Sequence, residues 1–493
     1  MNTFNTNPNL VLTLLILLPL INAFLLWILN PRLQIIKILT VTFSTLLFIT
    51  SLFVFLNLEN YLNYKYAPIQ IFENIFLEFS LEPIGLIFML VASSLWIIST
   101  FYSFGYMEKN KEKNLKRFYT CFSFAIFSTV SLALANNLIT SFIFYEILTL
   151  TTFPLVAHHG NDKAKKGATT YLFILMSTSI VFFLVAIATT WVTQGSITYT
   201  NGGILSDNLG NPFFYGFLYT LFIFGVSKAA VMPFHKWLPA AMVAPTPVSA
   251  LLHAVAVVKA GVFLVIKISI YIFGVLEVEN INISGFITFI SSFTIIAASF
   301  VALYSDNLKR RLAYSTISQL SYVVLATSLS NFFGIIAAIF HLVAHAFGKI
   351  TLFFAAGNIY TATHKTEISE MTGIGRKMPF TLLCFLIGSL VMIGLPLTSG
   401  FVSKWFLISG IIQHEMTVPL VIVIILSTIL NTAYFIPFVY KTFQKPQKNE
   451  LSNVEKLPKS MIISIAFCAL FSLYLFFNPE IILNIIRLAG IVL

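Results

Sequence analysis

The chain has 493 residues, of which 58% are hydrophobic and only 10% are charged. A soluble domain carries roughly 25% charged residues, so most of the surface of a chain this apolar has to face lipid. No polar stretch exceeds roughly 25 residues, which excludes a separate soluble domain of about 50 residues or more. The net charge of +11 would suggest a nucleic-acid partner in a soluble protein, but here it reflects membrane orientation, and we expect no nucleic-acid partner.

Apolar runs of about 20 residues recur from end to end, and each is long enough to cross a bilayer as a helix. Because such spans satisfy their own backbone hydrogen bonds, the predicted fold class is all-α, a polytopic membrane protein with about fourteen transmembrane helices. The predicted spans are 9–29, 33–56, 84–106, 116–135, 137–157, 167–192, 212–232, 245–272, 283–304, 310–328, 333–357, 379–398, 417–440 and 459–477. A half-helix over 400–413 extends the twelfth span, and the tail 480–493 is too short to span alone.

The basic residues alternate between loops. Connections that follow odd-numbered spans hold nearly all loop Lys and Arg, whereas those that follow even-numbered spans hold only Lys65. Positive residues stay on the cytoplasmic side, so the basic loops are predicted inside and both termini outside an inner, bacterial-type plasma membrane. No Lys or Arg precedes Arg32, so the first run lacks the basic region of a signal peptide and is predicted to be a retained helix. The long outer connections, 57–83 and 193–211, are predicted to be surface caps.

Glu146 is the one acidic residue in the middle of a span, within SFIFYEILTLTTFPL. A charged group inside the membrane costs about 2.5–3.5 kcal/mol on insertion scales, so each one needs a reason. One interpretation is an acid that exchanges protons or forms an ion pair. The other is a neutral acid that serves only helix packing.

Lysines interrupt the next two spans. Lys228 lies in LFIFGVSKAAVMPFHKWLP, shortly before Pro233, which is predicted to end or kink the seventh helix. Lys259 lies deep in the eighth span, and a buried lysine is a usable proton acceptor and donor. Snorkelling of the ammonium to an interface is the alternative. It fits Lys267, near the end of its span, as well as burial does, and fits the other two lysines poorly.

His341, His345 and Lys349 are spaced i, i+4 and i+8 in FHLVAHAFGKITLFF. Such residues share one helix face over roughly 12 Å, which predicts a proton wire because histidine titrates near physiological pH. A metal site is a second interpretation, although no Glu or Cys lies beside them to complete the ligands. A third is that these histidines only bond to neighbouring backbone or hydroxyl groups. Two further histidines, His235 and His253, accompany the lysines of the preceding spans.

Lys404 follows a predicted helix break in IGLPLTSGFVSKWFLISG, where Pro396, Ser399 and Gly400 are expected to interrupt the twelfth span. A broken helix at membrane depth is tolerated where it lines a wet cavity, a common construction in ion pathways. The tripeptide Val-Ser-Lys occurs at 226–228 and again at 402–404. Two copies five spans apart predict two inverted five-helix repeats, with broken helices 7 and 12 and with Lys228 and Lys404 as pseudo-symmetric partners.

Five segments resemble the antiporter-like subunits shared by respiratory complex I and Mrp-type cation/proton antiporters. These are FYEILTLTTFPL, GVSKAAVMPFHKWLPAAMVAPTPVSALLHAVAVVKAGVFL, DNLKRRLAYSTISQLSY, HLVAHAFGKITLFFAAG and PLTSGFVSKW. The resemblance covers nearly the whole chain from about residue 80. It implies that the fifth-span Glu146 pairs with the seventh-span Lys228, and that the path continues through Lys259 to Lys404. It places His253, His341, His345 and Lys349 between them.

Within that family the run GFVSKW is most similar to the D subunit of Mrp antiporters. The M-type subunit of complex I comes next, but it usually has Glu where Lys404 stands. The resemblance implies a subunit that moves protons in exchange for sodium or potassium, among other membrane subunits of a hetero-oligomeric complex in the lipid bilayer. The alternative is a proton-pumping subunit of NADH:quinone oxidoreductase or a related membrane-bound hydrogenase.

An enzyme that binds quinone or nucleotide finds no support, because the chain has no GxGxxG, P-loop or cysteine cluster. Cys121, Cys384 and Cys468 lie far apart in apolar runs, so no metal, disulfide or cofactor is expected. A purely structural anchor would not need costly buried charges, and a continuous cation pore fits alternating basic sites poorly. The predicted division is 1–110 for helices 1–3, 111–275 for the first repeat, 276–445 for the second repeat and 446–493 for the C-terminal helix and tail.

Overall fold

The computed structural model describes residues 7–29, 31–62, 64–72, 75–205, 211–275, 284–445 and 454–489. The chain is mostly helical in these ranges, and the predicted membrane-protein fold class is confirmed. The predicted domain boundaries at 275/276 and 445/446 border intervals outside the described residues. The predicted division, the total of fourteen spans and the pairing into inverted repeats stay predictions.

The described part of the first half of the chain contains eight helices of at least 14 residues. They are α1 (Pro8–Leu29), α2 (Leu33–Leu56), α3 (Pro83–Lys109), α4 (Leu115–Leu134), α5 (Leu138–Val156), α6 (Asp162–Gln194), α7 (Pro212–Gly225) and α8 (Thr246–Phe273). Wider π-type turns occur within α6 at Ser179–Leu184 and within α8 at Leu251–Val255 and Ser269–Phe273. Such turns often mark functional positions in helices.

The second half continues the same architecture. Its helices are α9 (Ser284–Tyr304), α10 (Leu308–Ser328), α11 (Phe332–Thr363), α12 (Pro379–Ile393), α13 (Ser399–Ile412), α14 (Thr417–Phe443), α15 (Lys459–Phe477) and α16 (Glu480–Leu488). Eleven helices among the described residues are long and apolar enough to cross a membrane, and α7, α12 and α13 are shorter apolar helices. The predicted half-helix over 400–413 is α13.

Asparagine starts many of these helices. The side chains of Asn137, Asn161, Asn211, Asn307 and Asn331 each accept a hydrogen bond from a backbone N–H in the first turn of α5, α6, α7, α10 and α11. These bonds satisfy donors that a helix cannot pair internally. The asparagine-rich connections therefore fix where the spans begin.

A two-stranded antiparallel hairpin, β1 (Lys65–Phe72) and β2 (Ile75–Ser80), lies between α2 and α3. It docks on the start of α5, where Glu78 N donates to Thr140 Oγ1 at 3.0 Å and Asn137 Nδ2 donates to Phe76 O at 2.9 Å. The interval 57–83 was expected to be only a surface cap, so the hairpin adds structure that the span pattern missed. We call this end of the bundle the hairpin face.

The basic loops meet at the opposite end. Lys109 Nζ lies 2.7 Å from Glu455 Oε2, Arg117 donates to the carbonyl of His158 at 2.9 Å, and Arg376 donates to the carbonyl of Phe443 at 2.9 Å. These contacts join loops that follow odd-numbered spans. We call this end the basic face.

Two helices form the centre of the bundle. The most apolar stretches of α8 and α11 are completely buried, whereas those of α2 and α14 are only 28% and 33% buried. Large apolar side chains such as Trp27, Phe173 and Ile425 are exposed on outer helices, where lipid would cover them. The lysines and histidines on α8 and α11 are therefore shielded from lipid by the rest of the protein.

A candidate proton path of buried lysines and histidines

Lys228 lies in a break between two helices. Helix α7 ends at Gly225, and Ser227–Ala229 form a single 3-10 turn that is followed by irregular backbone. The prediction that one helix continues to Pro233 was wrong. A Cβ on Gly225 would lie only 2.3 Å from the backbone nitrogen of Phe183, so this glycine lets α7 stop against the π-type turn of α6. Pro233 lies within the break, not at its start.

The Lys228 side chain is completely buried and bonded to α5. Its Nζ donates to the carbonyl of Tyr145 and to Thr149 Oγ1, both at 2.7 Å. The backbone N–H of Lys228 donates to the Tyr145 hydroxyl at 3.0 Å. These bonds hold the ammonium beside α5, one residue before and three residues after Glu146.

The expected ion pair between Glu146 and Lys228 is open in this structure. Neither carboxylate oxygen of Glu146 accepts a hydrogen bond of ordinary geometry from any described residue, and no ion pair within 4.0 Å joins it to Lys228. Lys228 and Ser179 are nevertheless its polar neighbours. The carboxylate oxygens are buried, and burial of a carboxylate without a hydrogen bond is energetically unfavourable.

Gly261 on α8 fixes the position of the Lys228 turn. A Cβ at this glycine would lie 2.3 Å from Ala229 N and 2.4 Å from the carbonyl carbon of Lys228, and both are backbone atoms. No side chain fits between α8 and the turn without moving one of them. The absence of a side chain at Gly261 thus lets α8 pack directly against the backbone of the Lys228 turn.

We therefore expect Gly261→Ala to displace the Lys228 turn and to destabilise the chain by about 1–3 kcal/mol, as overpacking does in other cores. Thermal unfolding of the purified protein measures this. Gly285→Ala is the matched control, since a Cβ at Gly285 meets nothing within 4 Å. Equal melting temperatures for the two variants would contradict the tight contact.

Lys259 and His345 join the two central helices. Lys259 Nζ lies 2.5 Å from His345 Nδ1, and both side chains are buried, at 0% and 1% exposure. The contact runs directly from α8 to α11 and joins two side chains that can each bind a proton. Among the hydrogen bonds of the described residues, it is the only one between a lysine and a histidine side chain.

His341 extends the row on α11 toward α13. Its ring centroid lies 6.0 Å from that of His345, and its Nδ1 lies 2.9 Å from Ser403 Oγ. Ser403 directly precedes Lys404 in the sequence. The row therefore reaches the segment that carries the last predicted lysine.

His253 and Lys349 both form hydrogen bonds to residues of α10. His253 Nδ1 lies 3.1 Å from Thr316 Oγ1. Lys349 donates to the neighbouring Ser315 hydroxyl and, at 3.4 Å, to the carbonyl of Leu312. Bonding to hydroxyls, one of the alternatives for the histidines, thus occurs at His253 and His341, while His345 contacts a lysine. We call His253, Lys259, His341, His345 and Lys349 the central row.

Lys404 lies beside the second helix break. Helix α12 ends at Ile393, residues 394–398 are not helical, and α13 begins at Ser399. Lys404 Nζ donates to the carbonyl of Ile393 at 2.7 Å and to Thr428 Oγ1 at 3.3 Å. An ammonium at a helix C-terminus is favourable, so the lysine is held by the end of α12.

The predicted break residues have different roles. Pro396 lies in the non-helical interval, but Gly400 is the second residue of α13. A Cβ on Gly400 would lie 1.8 Å from the carbonyl oxygen of Val391, so this glycine allows α13 to start against the end of α12. The two Val-Ser-Lys copies also differ locally, because Lys228 lies within its break and Lys404 lies in the helix after its break.

No sequence pattern pointed to Gln319 on α10. Its amide oxygen and nitrogen are buried and have no hydrogen-bond partner among the described residues, and the same holds for Nε2 of His253 and of His345. Buried polar atoms are normally paired.

Lys267 is buried instead of reaching an interface. Its side chain is 0% exposed, and Nζ lies 2.9 Å from Glu82 Oε2. Of the two interpretations left open for this lysine, the structure favours burial. Glu82 was not predicted, because it lies outside the apolar runs.

Residues 135–430, which include every predicted path residue, match the family described as NADH:quinone oxidoreductase/Mrp antiporter, TM. The chain belongs to this family. The resemblance drawn from the sequence is thereby confirmed at the level of the family, and the chain is an integral membrane protein.

Similar proteins include two staphylococcal proteins named as antiporter subunit mnhA2. The Staphylococcus saprophyticus protein is 29% identical over 390 residues, which cover 74% of this chain and 48% of that protein. The protein of Staphylococcus aureus strain MRSA252 is 28% identical over 429 residues, which cover 82% of this chain and 53% of that protein. The chain thus spans about half the length of these relatives.

Two solved structures share the fold. A chain of the membrane-bound sulfane sulfur reductase, an archaeal respiratory membrane complex, superposes with a TM-score of 0.84 at 23% identity over 97% of both chains. A chain of the Mrp complex from Dietzia sp. DQ12-45-1b superposes with a TM-score of 0.82 at 23% identity, over 98% of this chain and 52% of that one. At such identities the likeness concerns the fold alone.

Proposed function

We propose that this chain is a proton-translocating membrane subunit of a multisubunit cation/proton antiporter of Mrp type, in which protons exchange for sodium or potassium. The observation that carries the proposal is the contact of 2.5 Å between Lys259 Nζ and His345 Nδ1 on the two buried central helices. Buried ionisable groups in a membrane interior mark ion pathways and proton relays. Membership of the NADH:quinone oxidoreductase/Mrp antiporter family supports the same function.

The first step is a switch at Lys228. In the open arrangement the ammonium donates to Tyr145 and Thr149. A swing toward Glu146 closes an ion pair and keeps the proton on Lys228. When the pair opens again, the desolvated ammonium releases its proton to the central row, which begins with Lys259. Moving one charge across 100 mV involves about 2.3 kcal/mol, which is within the range of buried ion-pair rearrangements.

The second step is relay through the central row to Lys404. His345 takes the proton from Lys259 and passes it along α11 to His341, which contacts Ser403 next to Lys404. His253 and Lys349, which contact α10, change the net charge of the central row when they gain or lose a proton. Lys404 then exchanges its proton with the other side of the membrane, where the break at 394–398 gives it access.

The orientation proposed for this cycle places the basic face in the cytoplasm and the hairpin face outside a bacterial-type plasma membrane. The segregation of basic loops at one end of the bundle supports it. We further propose that the chain is a D-type subunit, because it has Lys404 in GFVSKW. Such a subunit would work among other membrane subunits.

A redox-driven proton pump is the second candidate. It is favoured by one observation, that the chain of the archaeal sulfane sulfur reductase complex matches this chain over 97% of both lengths. The central row would serve equally well in that setting, with electron transfer in partner subunits as the source of energy.

Purification of the tagged chain in mild detergent, followed by mass spectrometry of the proteins that accompany it, separates the two candidates. Co-purification of small membrane subunits without redox proteins is expected, together with sodium- or potassium-dependent proton exchange in vesicles. Stoichiometric flavin and iron–sulfur subunits would overturn the antiporter assignment in favour of the pump.

A further inference from the structure

Lys267 and Glu82 form a second buried charge pair, separate from the Lys228 switch and from Lys404. Lys267 Nζ lies 2.9 Å from Glu82 Oε2, donates to the carbonyl of Ala135 at 2.5 Å and lies 4.4 Å from the centre of the Tyr199 ring. The Lys267 side chain is fully buried, whereas that of Glu82 is 14% exposed. The pair therefore lies at the edge of the buried interior, at the hairpin face.

Lys267 is connected to the central row by α8 itself. It follows Lys259 by two helical turns, a rise of roughly 12 Å on the same helix. Phe263 occupies the turn between them, with its ring centre 5.7 Å from Lys267 Nζ, and it stacks on Phe88 at 4.7 Å. Phe263 thus lies one helical turn from each of two buried lysines on the same helix.

Polar groups continue from Glu82 outward. Ser80 Oγ donates to Asn136 Oδ1 at 2.8 Å, and Asn136 Nδ2 donates to Glu78 Oε1 at 2.9 Å. Glu78 in turn lies 3.8 Å from Lys65, whose side chain is 58% exposed. Exposure therefore rises from Lys267 through Glu82 and Glu78 to Lys65. A pair whose only role was to tie α8 to α3 would not need this graded series.

Resting on the proposed function, we propose that the Lys267–Glu82 pair is a proton-exchange station that connects Lys259 with the hairpin face, and that Phe263 gates it. The proton passes from the Lys267 ammonium to the Glu82 carboxylate, which leaves a neutral amine and a carboxylic acid. Glu82 then releases the proton toward Glu78 and the surface. When the Phe263 ring moves aside, the Lys259 ammonium restores the proton of Lys267.

The environment of Glu82 suits this role. Burial raises the pKa of Glu82 above its usual value, and Lys267 offsets part of that rise. A carboxyl balanced in this way can hold a proton briefly and lose it again. Glu82 lies outside residues 135–430, the stretch over which the chain matches the family.

The test uses the assembled complex in vesicles, with proton flux measured beside the amount of chain and its melting temperature. Glu82→Gln keeps the shape and hydrogen-bonding capacity of the side chain but cannot carry the proton, so flux is expected to fall roughly fivefold or more. Glu82→Asp is expected to restore most of the flux. The double variant Glu82→Gln/Lys267→Met removes the pair without leaving an unpaired buried charge, so it is expected to fold. Its proton flux is expected to be lost.

Glu108→Gln/Lys37→Met is the matched control, because it removes an ion pair at the basic face that lies outside the row. Normal proton flux in Glu82→Gln would overturn the proposal. So would a loss of flux in the double variant that is fully explained by a lower amount of chain in the vesicles. Failure of the proposed function can be told apart from failure of this proposal. It would appear as normal proton flux in Lys228→Met, independently of the flux measured for Glu82→Gln.

Discussion

Lys228→Met is expected to abolish proton flux, with a loss of at least tenfold, because positioned proton donors typically contribute on the order of 10²–10⁴ in rate. Methionine fills a similar volume but cannot carry a proton or pair with Glu146. The fold is expected to survive, because Thr149 Oγ1 already lies 3.3 Å from the carbonyl of Tyr145 and keeps that bond when the ammonium is removed. Proton flux in vesicles, normalised to the amount of chain, measures the effect.

Lys236→Met is the matched control for this variant. Lys236 lies in the same irregular segment but its side chain is exposed. Its replacement removes one positive charge from the chain without touching the switch, so flux should stay near the wild-type value. Near-normal flux in Lys228→Met would eliminate the switch from the mechanism.

His345→Gln is the second change with a large expected effect. Glutamine can still hydrogen-bond to Lys259 but cannot be protonated, so the step from α8 to α11 is interrupted. Flux is expected to fall by about tenfold or more, at an unchanged melting temperature. His364→Gln, at an exposed position just after α11, controls for loss of a histidine. Equal flux in both variants would mean that the proton bypasses His345.

The helices and the buried charges could be predicted from the sequence because both are local signals. A run of about 20 apolar residues predicts a span on its own, and a lysine within it stands out whatever the fold. Lys259 and His345 were found in this way. The partner of each group could not be found, because a bond between α8 and α11 depends on how the helices pack.

The α11 residues show this limit in detail. The i, i+4, i+8 spacing predicts a shared face, but each step of four residues also rotates by about 40°. His341, His345 and Lys349 accordingly contact three different elements, through Ser403, Lys259 and Ser315. A pattern that looked like a wire along one helix is a junction of four helices.

The early end of α7 and the Lys267–Glu82 pair were missed for a related reason. Gly225 ends its helix because the backbone of α6 approaches it, which no local pattern shows. Glu82 follows a hairpin strand and precedes α3, outside any apolar run, and its partner lies on α8. In both cases the decisive contact joins segments that are distant in the sequence.

The most direct test of the central claim is the proton flux of the reconstituted complex in liposomes after a sodium or potassium gradient is imposed, with internal pH as the readout. Wild-type chain is expected to change the internal pH in response to the gradient. Glu146→Gln keeps the shape of the side chain but can neither be protonated nor pair with an ammonium. Liposomes with this variant are expected to show no more change of internal pH than liposomes without protein. Cation-driven flux at the wild-type rate in Glu146→Gln would contradict a path that runs through the buried charges.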